Sequence, residues 1–389
     1  MTQPTSSISP LRLGIQQRVL PAYRAAFFET LAGLCGGGLS VFAGQPLNKE
    51  AIASAKGLQG VDWERAQNRY WMDPGSPLFL CWQSGFVEWL ERWQPEALVV
   101  EANPRYLSTR LAMGWMHARK RPVLGWGLGA PPLSGSLGRL RAWERNNFLG
   151  LLDGVIAYSE RGAEEYRRLG LPAERVFVAH NAVAHRPADL PPDRPPTYAG
   201  QPVVLFVGRL QARKRIDLLL GACARLPAAL QPRLVIVGDG PDRAQMQAQA
   251  EAIYPSAEFP GAKHGAELEE YFARADLFVL PGTGGLAVQQ ALTYGLPVIV
   301  ARGDGTQDDL VRPANGWLIQ PDDPQALLQT LADALASPAR LRQMGMRGYR
   351  IVAEEINLEQ MAAKFVFAAD RVLELGTRKS NRHQGVSAG

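Results

Sequence analysis

Short, nearly unbroken apolar runs alternate along this chain with longer stretches whose apolar residues recur at helical spacing. The runs are too short for helices and lack the polar alternation of half-exposed strands, so they predict strands buried on both faces. A first set lies at Leu11–Gln16, Leu39–Ala43, Leu78–Cys81, Ala97–Glu101, Pro122–Trp126, Gly154–Tyr158 and Val176–Ala179. Helical stretches at Pro21–Ala32, Phe86–Trp93, Tyr106–Arg119, Leu137–Leu149 and Glu160–Leu169 separate most of them. Strand and helix in alternation predict a parallel sheet with helices on both faces. The segment Gly57–Pro77 breaks this rhythm and carries no pattern that places it.

Six prolines between His185 and Pro202, with little apolar surface to bury, predict a linker over 185–202. A second alternating set follows. Strands are expected at Val203–Val207, Leu234–Val237, Ala257–Pro260 and Trp317–Ile319, and helices at Lys214–Leu226, Asp242–Ile253, Glu267–Ala273, Pro324–Ala336 and Ala339–Glu354. The reading is α/β, with two doubly wound, Rossmann-like domains at 1–184 and 203–355. A further amphipathic helix is expected over 356–376, returning to the first domain, and a disordered tail over 377–389.

The stretch from Asp276 to Val300 organises the second set. Leu277–Leu280 and Pro297–Val300 read as buried strands, and Leu286, Ala287, Ala291 and Leu292 supply a helical apolar face between them. Gly295 stands where a left-handed residue would end that helix, with Pro297 just beyond. Gly282-Thr283-Gly284-Gly285 opens the helix with bare backbone, so its N–H groups can approach an anion closely. Ligands of open parallel sheets bind at the carboxyl ends of the strands. Gly208, Arg209 and Lys214 lie at another such end, and two cations beside bare N–H donors suit a diphosphate.

Composition narrows the class. Three scattered cysteines, Cys35, Cys81 and Cys223, fit neither a disulfide framework nor a metal site, so a reducing cytoplasm is expected. No signal peptide and no apolar run of spanning length is evident. Residues 1–195 hold 22 Lys and Arg against 17 Asp and Glu, whereas residues 196–389 hold 20 of each. The excess gathers at Arg119-Lys120-Arg121 and at Arg139, Arg141 and Arg145, near Trp115, Trp126 and Trp143. Basic residues among tryptophans suit an anionic membrane surface, which predicts a peripheral protein of the inner face; no nucleic-acid recognition motif accompanies the charge. A dinucleotide-dependent oxidoreductase would need Gly-x-Gly-x-x-Gly after the first strand, and that spacing is absent.

Gly208-Arg-Leu with Lys214-Arg-Ile-Asp-Leu-Leu, Val237-Gly-Asp-Gly-Pro241, Asp276 with Leu280-Pro281, and Ala291 with Gly295-Leu-Pro-Val-Ile299 follow one another in order. Together they resemble the large retaining family 4 of GT-B glycosyltransferases. Leu20-Pro-Ala-Tyr-Arg-Ala-Ala-Phe-Phe28 and Asn103-Pro-Arg-Tyr-Leu107 resemble a subset acting on cell-envelope polysaccharide or lipid-linked acceptors.

The resemblance implies two domains facing a cleft and a nucleotide-sugar donor, UDP- or GDP-linked, with no cofactor and no metal. Arg209 and Lys214 would then be catalytic, stabilising charge on the leaving diphosphate. Gly208, Gly284, Gly285, Leu286, Gln290 and Arg24 would bind the donor, and Tyr23, Asn103, Arg105 and Trp126 would lie on the acceptor side. The chain departs from the family pattern: its paired glutamates fall at Gly282 and Gln290, its His near Trp126–Gly129 is missing, and Pro21-Ala-Tyr-Arg24 replaces its Gly-Gly donor loop. A nucleotide-sugar-binding pseudoenzyme acting as a subunit is the alternative reading.

Overall fold

The computed structural model describes residues 8–47, 50, 52–76, 78–133, 135 and 137–385, with side chains to 376. It divides into two compact units, one of residues 1–181 and 358–389, the other of residues 182–357.

The first unit runs β1 (Leu13–Val19), α1 (Ala25–Ala32), β2 (Leu39–Gly44), β3 (Asp62–Arg65), β4 (Gln67–Trp71), β5 (Leu80–Ser84), α2 (Phe86–Trp93), β6 (Ala97–Glu101), α3 (Ser108–His117), β7 (Val123–Gly127), α4 (Gly138–Gly150), β8 (Gly154–Ala157), α5 (Glu160–Arg168) and β9 (Val176–Val178). Its main sheet is parallel, in the order β3-β2-β1-β6-β7-β8-β9. The order reverses between β1 and β6, so the loops after these two strands diverge and leave a crevice at their carboxyl ends. Leu13, Ile15, Leu98, Val99, Val123 and Val155 are fully buried, as strands covered on both faces require.

The segment the pattern could not place forms β3 and β4, and β4 pairs antiparallel with β5 in a separate two-stranded arm. Pro77 lies outside the described residues. Polar side chains tie the arm to the main sheet. Gln83 Nε2 donates to Gln17 O at 3.0 Å and to Asn68 Oδ1 at 2.9 Å, and Asn68 Nδ2 donates to Arg18 O at 2.7 Å.

The second unit runs β10 (Val203–Val207), α6 (Ile216–Arg225), β11 (Arg233–Val237), α7 (Arg243–Ile253), β12 (Glu258–Gly261), α8 (Ala266–Arg274), β13 (Leu277–Leu280), α9 (Leu286–Thr293), β14 (Val298–Ala301), α10 (Thr306–Leu310), β15 (Gly316–Ile319), α11 (Pro324–Leu335) and α12 (Pro338–Arg350). Its sheet is again parallel, in the order β12-β11-β10-β13-β14-β15, and reverses between β10 and β13. Asp276 fixes the start of both central strands: one carboxylate oxygen accepts Val203 N at 2.8 Å and the other accepts Arg342 Nη2 at 2.6 Å.

The proline-rich stretch 185–202, expected as a linker, is instead part of the second unit. Arg194 holds it there, donating to the carbonyls of Phe272, Ala273, Ala275 and Tyr294 at 2.7–3.2 Å. Burial and the neighbouring Arg342 lower the pKa of Arg194 to about 10. Hydrophobic patterning missed this packing because one guanidinium and carbonyl acceptors do the work. After Asn357 the chain re-enters the first unit as α13 (Leu358–Gly385). Phe365 of this helix packs edge-on against Phe27 and Trp126, with ring centroids 4.9 and 4.8 Å away. The expected disordered tail is helical to Gly385, and residues 386–389 lie outside the described residues. Among the described residues, no helix is long and apolar enough to cross a membrane.

Candidate functional site

In the second unit the loops after β10 and β13 meet at the reversal point. Gly208 continues β10, its N–H donating to Val237 O at 3.0 Å, and Arg209 behind it is exposed. Residues 212–214 then form one tight helical turn, ending at Arg215 in the left-handed region with φ 54°. That turn points Lys214 inward. Its Nζ donates to Thr283 O at 2.8 Å and approaches Gly284 O at 3.5 Å, while Thr283 N donates to Arg213 O at 3.1 Å. Lys214 is only 7% exposed, and burial, aided by the charge of Arg213, lowers its pKa to about 8.

The glycines of the loop serve different ends. A Cβ on Gly282 would lie 2.2 Å from Arg213 O and 2.6 Å from Lys214 Cα, so this backbone admits no side chain there. Gly284 has φ 75°, which a glycine adopts without strain, and a Cβ on it would sit 3.5 Å from Lys214 Nζ. Gly285 then caps α9 without any side-chain hydrogen bond, and Leu286 begins the helix. The first N–H groups of α9 therefore open beside Lys214 and Arg213, a setting made for negative charge.

Arg213 is a cation the sequence reading passed over. It is exposed, its Nε donates to Gln211 Oε1 at 3.0 Å, and its Nη1 lies 3.8 Å from where a Cβ of Gly284 would stand. The run Arg213-Lys214-Arg215 was the available signal, but the sequence does not say which of the three faces the glycine loop. Arg215 does not: it pairs with Asp217 and Asp322.

The adjacent glutamines on α9 part company. Gln290 is exposed, one turn beyond Leu286 on the same face. Gln289 is 1% exposed. Its Oε1 accepts Val183 N at 2.6 Å and Ala184 N at 3.1 Å, and its Nε2 donates to Ile356 O at 2.7 Å. Gln289 therefore ties the entry and exit strands of the second unit to one helix.

In the first unit, residues at the reversal point also converge. Arg24 follows β1 and is 5% exposed. Its Cζ lies 4.9 Å from the Trp126 ring centroid, 5.3 Å from Tyr23 and 5.5 Å from Tyr158. Asn103 and Arg105 follow β6 and meet each other: Asn103 Oδ1 accepts both the backbone N–H and the Nε of Arg105 at 3.2 Å. Arg18 lies nearby in β1, donating to Glu50 at 2.6 and 3.0 Å and to the Tyr70 hydroxyl at 3.3 Å. Burial, the largest single influence, would lower its pKa, but Glu50, Tyr106 and Tyr70 together outweigh it and raise it. Glu101, at the end of β6, accepts Arg18 N at 2.5 Å, and burial raises its pKa. Sequence reading missed this network because Arg18 and Glu50 stand 32 residues apart and share no motif.

The tryptophans near the basic cluster separate in the same way. Trp126 and Trp115 are buried, the latter beneath Arg119, whose Cζ lies 3.8 Å from the ring centroid. Trp143 on α4 is 62% exposed, with Leu140 of the same helix 60% exposed. Only Trp143 of the three is placed to meet a surface.

Residues 192–351 match the family model described as Glycosyl transferases group 1. A GDP-mannose-dependent alpha-mannosyltransferase of Mycobacterium tuberculosis is 45% identical over 125 residues, 31% of this chain and 31% of that protein. A colanic acid biosynthesis glycosyltransferase of Salmonella typhimurium, WcaL, is 27% identical over 199 residues, 46% of this chain and 47% of that protein. The chain thus spans less than half the length of each of these relatives. Among solved structures, Anabaena HepE in complex with UDP superposes with TM-score 0.67 at 17% identity, covering 92% of this chain and 99% of that one. The lipopolysaccharide outer core galactosyltransferase WaaB superposes with TM-score 0.65 at 16% identity, covering 92% and 98%. Two parallel-sheet Rossmann-like units joined in this way give the chain the GT-B fold, and its second unit carries the match to the glycosyl transferases group 1 family.

Proposed function

We propose that this protein is a glycosyltransferase that moves a sugar, with retention of configuration, from a nucleotide-sugar donor to a cell-envelope polysaccharide or lipid-linked acceptor. The observation that supports it most directly is Lys214, buried beneath the glycine loop with Arg213 beside it at the start of α9 and Arg209 following β10. The donor diphosphate lies against these cations and the first N–H groups of the helix. As the bond from the anomeric carbon to the diphosphate oxygen breaks, its electron pair stays on that oxygen, where the fixed positive charges are aimed. The acceptor oxygen bonds to the anomeric carbon on the face the diphosphate leaves, and its proton passes to a phosphate oxygen. Lys214, with Arg213 and Arg209, supplies the charge that a metal ion supplies elsewhere. The GDP-mannose dependence of the mycobacterial relative makes GDP-mannose the first donor to test.

Arg209→Ala combined with Lys214→Met tests the reading, the latter keeping most of the apolar stem in place. Calorimetric titration with UDP and GDP should show binding to the parent protein and none to the double variant, with both folded. Equal affinity in both proteins would refute it.

A second reading, a nucleotide-sugar-binding subunit without turnover, is favoured by Gly282, where the backbone of Arg213 leaves no room for a sugar-contacting carboxylate. Donor binding without release of nucleoside diphosphate, across UDP- and GDP-sugars with lipid extract present, would select it.

A further inference from the structure

The cation of the first unit is in an unusual state. Arg24 Nη1 is buried and has no hydrogen-bond partner, and neither has the Trp126 indole N–H beside it. The guanidinium carbon lies 4.9 Å from the Trp126 ring centroid, so the residues carrying the two orphaned donors adjoin each other near the carboxyl ends of β1 and β7. Burying an arginine without a hydrogen-bonded anion is costly. The ring faces of Trp126, Tyr158 and Tyr23 offset part of this. They attract the charge but accept no hydrogen bond in its plane. Glu101 lies within electrostatic reach but makes no hydrogen bond to Arg24; its carboxylate receives Arg18 N. A water would satisfy one N–H and leave the guanidinium without a hydrogen-bonded anion. A guanidinium fork and an indole N–H together suit an oxyanion. Tyr23, 48% exposed, is the residue of this group that faces solvent.

We infer that Arg24, Trp126 and Tyr23 form an oxyanion subsite of the first unit that takes a phosphate or carboxylate group carried by the acceptor. The inference rests on the transferase reading only in calling the ligand an acceptor; the donor diphosphate is assigned to the cations of the second unit. It narrows the acceptor to a negatively charged molecule, such as a phosphate-linked lipid or an acidic saccharide.

The test is a titration of the full-length protein, labelled with 15N at its tryptophan indoles, with inorganic phosphate in the presence of saturating GDP or UDP. Trp126, assigned by Trp126→Phe, should give a saturable downfield indole shift. Arg24→Gln should weaken that binding by roughly 10- to 150-fold, matching the 1.5–3 kcal/mol of a charged hydrogen bond, and Arg24→Lys should restore part of it. GDP or UDP affinity measured on the same samples reports separately on the second unit. If Arg24→Gln fails to fold, the parent titration decides. No phosphate-dependent shift would overturn the inference and leave Arg24 a water-solvated structural cation. A shift produced by the nucleotide alone, to which phosphate adds nothing, would overturn it in favour of a donor contact.

Discussion

The two units place a cation after the first strand of the same kind of sheet, at the same reversal of strand order, and hold it by opposite means. Lys214 is held by the carbonyls of Thr283 and Gly284; Arg24 is held by ring faces. Carbonyl oxygens satisfy an ammonium directionally, and burial still brings Lys214 within reach of losing its proton. Rings satisfy a charge without satisfying its N–H groups, and an arginine keeps its charge under almost any condition. The second unit thus offers a site whose electrostatics respond to ligand and pH. The first unit offers a permanent charge with donors to spare. One topology therefore yields two kinds of buried cation, and the loop, glycine-rich or aromatic, decides which.

Experiments that break this contrast can be ordered by size. Removing both Arg209 and Lys214 takes away two charged contacts of roughly 1.5–3 kcal/mol each. GDP or UDP affinity should fall by at least about a hundredfold, measured by calorimetry. Gly282→Glu forces a side chain against the Arg213 backbone. Overpacking of this kind costs roughly 1–3 kcal/mol, so thermal unfolding should move down by several degrees with no gain in turnover.

Liposome flotation probes the first unit alone. Arg139, Trp143 and Leu140 share the exposed side of α4, so flotation should require anionic lipid and weaken with salt. Arg139→Glu with Arg141→Glu should reduce it by about 1 kcal/mol for each charge removed. Equal flotation on neutral vesicles would exclude an electrostatic contact.

The pH dependence sharpens the contrast from the other side. Lys214 titrates near 8 when free, and a bound diphosphate restores its charge. Nucleotide affinity should therefore hold below about pH 7 and fall about tenfold by pH 9, with proton uptake on binding near pH 8. Stability of the ligand-free protein should carry the opposite sign. An unfolded lysine titrates near 10.4, so between about 8 and 10.4 the unfolded chain binds the extra proton and folding gains as pH rises. Lys214→Met should abolish both trends. The smallest effect is at Gln290. If it accepts from a ribose hydroxyl, Gln290→Glu should tighten nucleotide binding by up to about tenfold. Unchanged affinity in both Gln290→Glu and Gln290→Ala would place this residue outside the site.

How far the chain could be read without its structure followed from which interactions leave a periodic trace. The buried strands Leu277–Leu280 and Val298–Ala301 and the helix between them were legible because both faces of the sheet are covered, so the apolar runs are unbroken. Strand β5 was expected at Leu78–Cys81, but its partner β4 was not legible, because Trp71 and Met72 face outward and the polar residue Asn68 faces in. Lys214 was legible as a cation near a glycine loop. The difference between Gln289 and Gln290 was not, since one step along a helix turns a side chain by 100° and composition does not record where the turn begins. Arg24 was legible as a charge after the first strand; its aromatic cage brings together residues from 23 to 158 that no local pattern links.

The return of α13 to the first unit sets the order in which a nascent chain can mature. Phe27 and Trp126 are translated long before Phe365, the ring that covers them. Until that helix leaves the ribosome, the first-made half of the protein holds an open apolar seam, while residues 182–357 already contain every strand of their own sheet. The later-encoded unit is thus free to finish folding first, and the earlier one waits exposed, the condition in which multidomain chains are most prone to misassembly and chaperone capture.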